Sequence, residues 1–101
     1  MTSRVQIQPK QMFKARYPMP NSHAVRLRVE ADRPVNIYVF DSKGLDAYLS
    51  GRLDFHSFCG KRKRRVLDGV FSILFGGDWY LILANSAANE VNVAYETESA
   101  P

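Results

Sequence analysis

With 101 residues, 46% apolar and 12% aromatic content and a single cysteine, the chain can build one hydrophobic core, and it excludes both an internal disulfide and a cysteine-based metal frame. Fourteen Lys and Arg oppose ten Asp and Glu, for a net charge of +4. Five of those cations stand together as Lys61-Arg62-Lys63-Arg64-Arg65, leaving nine basic and ten acidic residues elsewhere, so the basic character is one local patch and not a nucleic-acid-binding face spread over the domain.

The first eight residues hold no apolar stretch of the signal-peptide kind. The longest apolar segments, 70–75 and 79–84, are strand length and far short of a membrane span. These features imply one domain over residues 1–101, in the cytoplasm, with no membrane span, metal or cofactor.

Residues 1–22 read as a peripheral strand followed by a proline-rich loop, with Tyr17-Pro18-Met19-Pro20-Asn21 outside any ladder because proline lacks a donor. Ala24–Glu30 alternates Val25, Leu27 and Val29 with Arg26, Arg28 and Glu30, the pattern of a half-buried strand. Ala31-Asp32-Arg33-Pro34 reads as a turn into a second strand, in which Val35, Ile37 and Val39 oppose Asn36, Tyr38 and Phe40. Apolar side chains on both of its faces imply a strand covered on both sides.

Leu45, Tyr48 and Leu49 share a face at helical spacing, and Gly51 ends that short helix. Arg52–Cys59 reads as a further strand. Val66–Phe75 is another, with a phase slip at Asp68-Gly69 that suggests a bulge. Gly76-Gly77-Asp78 signals a hairpin into the apolar strand 79–84. Asn85–Asn89 is a polar turn whose asparagines bond local backbone, and Val91, Val93 and Tyr95 mark a last strand before a frayed tail at 97–101. The sum is an all-β fold: an antiparallel β-sandwich of seven or eight short strands with one short helix.

Three segments also carry a family likeness. Val35-Asn36-Ile37-Tyr38-Val39-Phe40-Asp41-Ser42, the short helical Leu45–Gly51 with Tyr48, and Gly76-Gly77-Asp78-Trp79-Tyr80-Leu81-Ile82-Leu83-Ala84-Asn85 resemble a small bacterial β-sandwich family of unknown function, sometimes fused to TIR domains, and the wider GOLD-type sandwiches. The resemblance implies a non-enzymatic interaction or ligand-sensing module of a bacterial conflict or effector system. It transfers no established site, and Lys61–Arg65 and the first twenty residues lie outside its pattern.

Several residues are candidates for function. Lys61, Arg62, Lys63, Arg64 and Arg65 repel one another and belong on an exposed loop or strand edge, where they would bind an anionic partner such as nucleic acid, a nucleotide or a lipid headgroup. Trp79 is either a core anchor or, with Tyr38 and Tyr80, a ligand platform. Asp54, His56 and Cys59 invite a catalytic reading, which alternation opposes, because residues 56 and 59 fall on opposite faces of a strand. The residues thus favour a non-enzymatic module for a protein or small ligand, with anion binding through residues 61–65 as the alternative.

Overall fold

The computed structural model describes residues 2–19, 23–51, 59–73 and 77–100. Six strands and one helix follow in the order β1 (Ser3–Ile7), β2 (Met12–Met19), β3 (His23–Phe40), α1 (Ser42–Leu49), β4 (Cys59–Ile73), β5 (Gly77–Ala84) and β6 (Val91–Ala100). All pairings are antiparallel. The chain is therefore all-β, and its strands fold into the two layers of a sandwich.

One long strand connects those layers. β3 pairs with β4 along one side from His23↔Ile73 to Val39↔Cys59. Along its other side, residues 24–31 pair with β6 and residues 36–40 with β5. The first layer runs β1-β6-β3-β4, and the second runs β2-β5-β3-β4. β1 and β2 are joined across the crease by a tight turn in which the Gln11 N–H donates to the Gln8 carbonyl at 3.1 Å.

Period-two alternation explains the core. Val25, Leu27, Val29 and Ala31 face inward from the first half of β3, and Val35, Ile37 and Val39 continue the same phase in the second half. They meet Ile7, Val91 and Val93 from the first layer and Trp79, Leu81 and Leu83 from the second. A smaller cluster, Tyr38, Phe40 and Ile82, lies on the outer face of the second layer beneath Leu45 and Tyr48 of α1. The helix starts at Asp41, whose carboxylate accepts the Gly44 N–H at 2.7 Å. It ends where Gly51 adopts a φ of 76°, a conformation that suits glycine.

Asn85 is a buried polar residue that ties the layers together. Its Nδ2 donates to the carbonyls of Ile7 at 3.0 Å, Gln8 at 3.2 Å and Asn89 at 2.8 Å, and its Oδ1 accepts the Ala87 N–H at 3.1 Å. The expected local turn bonds are present, together with two long-range bonds that pin the β1–β2 turn.

The structure departs from the sequence-based expectations in four places. Residues 31–34 are not a turn between two strands: β3 runs through them and absorbs the crease by advancing five residues, Glu30 to Val35, while β4 moves two. The strand count over the described residues is accordingly six. The bulge lies at Lys63, with a φ of 54°, not at Asp68-Gly69, where Arg28↔Asp68 and Leu27↔Gly69 pair in unbroken register. Residues 17–19 and 97–100 are ladder, not loop and tail, because Tyr17–Met19 pair with Gly77–Trp79 and Thr97–Ala100 with Ala24–Leu27. β2 pairs only with β5 among the described residues, and an edge strand tolerates a proline because one side of its ladder is open. Of the strand expected over Arg52–Cys59, residues 52–58 lie outside the described residues, and Cys59 is the first residue of β4. No helix among the described residues is long and apolar enough to cross a membrane.

Candidate functional site

Lys61–Arg65 form part of a strand, not a loop. β4 pairs with β3 alone among the described residues, so it is the edge of both layers, and the run lies where β4 turns the crease. All five side chains are exposed. A charged edge is a usual protection against pairing with other strands.

Pairing disperses the five cations. Lys61 lies opposite Ile37 and Arg64 opposite Val35, both inward positions at the open flank of the sandwich. Arg62 turns to the outer face, where its Nε donates to the Tyr38 hydroxyl at 3.1 Å. Lys63 occupies the bulge, and its backbone N–H donates to Asn36 Oδ1 at 3.0 Å. Arg65 reaches an open polar groove of about 660 Å³ on the outer face of the first layer, shared with Arg4, Glu30, Asp32 and Asn92. The arrangement is a basic edge whose side chains point in several directions.

Three other cations of the sheet are already paired with carboxylates. Arg16 pairs with Asp78 at 2.6 Å, and Arg26 makes a two-point contact with Asp68 at 3.1 Å while Arg28 approaches the same carboxylate at 3.4 Å. Among the described residues, none of Lys61–Arg65 has a carboxylate within ion-pair distance.

The three candidate platform aromatics do not share a surface. Tyr38 and Tyr80 are on the outer face of the second layer. Tyr38 is only 5% exposed under α1, with the Tyr48 ring 5.2 Å away. Burial pushes the Tyr48 phenol above its ordinary value, and the nearby Arg62 charge opposes that shift. Trp79 faces the core at 2% exposure, stacked on Tyr17 at 4.4 Å and edge-on to Phe71 at 5.9 Å. A flat platform needs all three rings on one face, and alternation puts neighbours 79 and 80 on opposite faces. Asp54 and His56 lie outside the described residues, as does the Cys59 side chain.

No family model and no curated protein matches the sequence. Solved structures are similar to it in fold. The pre-peptidase C-terminal domain of collagenase from Bacillus anthracis aligns with a TM-score of 0.70 at 7% identity, over 97% of this chain and 88% of that one. The Yersinia pseudotuberculosis-derived mitogen gives 0.65 at 10% identity, over 96% and 82%. PliG of Aeromonas hydrophila, a periplasmic inhibitor of g-type lysozyme, gives 0.63 at 7% identity, over 97% and 85%. Such low identity establishes the small β-sandwich fold and nothing finer.

Proposed function

We propose that this chain is a non-enzymatic binding module that engages an anionic partner along the basic edge of β4. One observation carries the reading: five consecutive exposed cations stand on one strand edge with no carboxylate partner among the described residues, while Arg16, Arg26 and Arg28 are paired. Adjacent like charges repel, and folding gains little from holding them together. A partner that supplies the missing negative charge relieves that repulsion.

The fold neighbours support a binding role by analogy. They include the lysozyme inhibitor and a family 29 carbohydrate binding module, the latter at a TM-score of 0.52 and 10% identity. The GOLD-type likeness of the β3–α1 segment and β5 belongs to the same reading, as a cytoplasmic module serving a bacterial conflict or effector system.

The test uses a labelled single-stranded oligonucleotide as a generic polyanion, with affinity followed as salt is raised. Five phosphate contacts give a log–log slope of roughly −3.5. Binding should be weak, sequence-indifferent and lost near physiological salt. Replacing Lys61–Arg65 with neutral polar residues should abolish it while lowering the thermal midpoint only slightly, through the lost Arg62–Tyr38 hydrogen bond. Equal affinity in that variant, or no binding by the native chain at low salt, overturns the reading.

A further inference from the structure

Gly69 sits mid-strand in β4, opposite Leu27 and facing inward. The inward residues two positions away on either side are Leu67 and Phe71, opposite Val29 and Val25. Glycine weakens a strand interior, and it persists there for a bulge, a left-handed conformation or the close approach of a backbone or ligand. The register is unbroken from His23↔Ile73 to Glu30↔Val66, so there is no bulge. The φ of Gly69 is outside the left-handed range, and a Cβ built on it meets no atom of the described residues within 4 Å. Neither conformation nor crowding calls for glycine here. Its effect is to leave a hollow.

That hollow continues into a half-open cleft of about 430 Å³ on the flank where the two arms of β4 face each other. Leu27 is part of its lining, with the half-buried Leu67 and Phe71, and Gly60 and Lys61 stand at its other side. The volume lies within the range of small-molecule pockets, roughly 300–1,000 Å³. Asp68 also borders the cleft, but Arg26 and Arg28 hold its carboxylate. The Lys61 ammonium, with no carboxylate partner among the described residues, is the charge left to recognise a ligand.

We propose that this cleft binds a small monocarboxylate with a hydrocarbon body, the body lying over Gly69 against Leu27, Leu67 and Phe71, and the carboxylate meeting Lys61. The proposal rests on the anion-binding reading of the β4 edge through Lys61 alone. Apolar contact supplies the affinity, and the ammonium selects the sign of the head group.

Octanoate, titrated into the full chain and followed by backbone amide shifts, tests it. Saturable shifts at residues 27, 60–61 and 67–71, with a dissociation constant of roughly 1 mM or tighter, are expected. Gly69→Leu should fill the hollow and weaken octanoate by roughly tenfold or more, with the native amide spectrum kept. Gly69→Val is a smaller filler should Leu distort the strand. Lys61→Gln should weaken octanoate but leave octanol unchanged, and octylammonium should bind the native chain no better than octanol. Replacing only Arg62–Arg65 should remove oligonucleotide binding and keep the octanoate site, which separates failure of the cleft from failure of the basic edge. Absence of saturable shifts, shifts centred elsewhere, or native affinity in both Gly69 variants overturns the proposal.

Discussion

Replacing Trp79 probes the packing that joins the two layers. The indole is 2% exposed, stacks on Tyr17 at 4.4 Å and meets the Phe71 ring at 81° with centroids 5.9 Å apart. Truncation of a buried Trp to Ala costs about 3–5 kcal/mol through lost transfer energy and the cavity left behind. One feature moves the expectation to the low end: the buried Trp79 Nε1 has no hydrogen-bond partner among the described residues. An unsatisfied buried donor carries a penalty of roughly 1–3 kcal/mol, which truncation removes. Trp79→Ala should therefore cost about 3 kcal/mol, a large share of a typical margin of roughly 5–15 kcal/mol. Trp79→Phe keeps an aromatic partner for Tyr17 and Phe71 and discards the orphan N–H, so its cost should stay near 1 kcal/mol or below. Urea denaturation followed by far-ultraviolet circular dichroism measures both without relying on the indole signal. With a slope of about 1.5 kcal/mol per M, the Ala variant should lose roughly 2 M in midpoint. A loss under about 1 kcal/mol in Trp79→Ala would refute the core assignment. Equal losses in the two variants would show that the indole N–H is bonded.

The same assay tests the corner and the ion pairs. Asn85→Ala should cost roughly 2–3 kcal/mol, because the carbonyls of Ile7, Gln8 and Asn89 lose a shared buried donor; a change below about 0.5 kcal/mol would mean that water replaces the side chain freely. The hydrogen bonds from Arg26 hold the Asp68 carboxyl below its ordinary 3.8, and the charges of Arg26 and Arg28 add to this. A depressed folded value favours the folded state when Asp68 is ionised, so this stabilisation is complete above the unfolded value of about 3.9 and is lost as pH falls through the folded one. Asp68→Asn should flatten the acid end of the stability profile below about pH 4, by less in 1 M salt. Parallel acid profiles for Asp68→Asn and the native chain at low salt would show that the pair contributes nothing.

Local patterns in the chain determined a good deal by themselves. The alternations Val25–Leu27–Val29 and Val35–Ile37–Val39 specify which side chains face the core, since a strand has only two faces. The apolar second face at Tyr38 and Phe40 announced a cover, which α1 provides. Five adjacent cations had to be exposed, and they are. Tertiary structure alone decided how these pieces combine. Asp32-Arg33-Pro34 have turn composition, yet β4 and β6 pair on either side of this region and draw it into one creased strand. The shift near Asp68-Gly69 looked like a bulge because an inward position lacks a side chain; the register shows an ordinary position with a hollow beside it. Composition showed that Lys61–Arg65 are charged, but partners distant in sequence direct them: Tyr38 holds Arg62, Asn36 holds the Lys63 backbone, and the crease sends Lys61 and Arg65 to different surfaces. Side-chain alternation is local and can be read along the chain. Which strand lies beside which is a matter of long-range pairing, and it sets both the open flank at Gly69 and the basic edge.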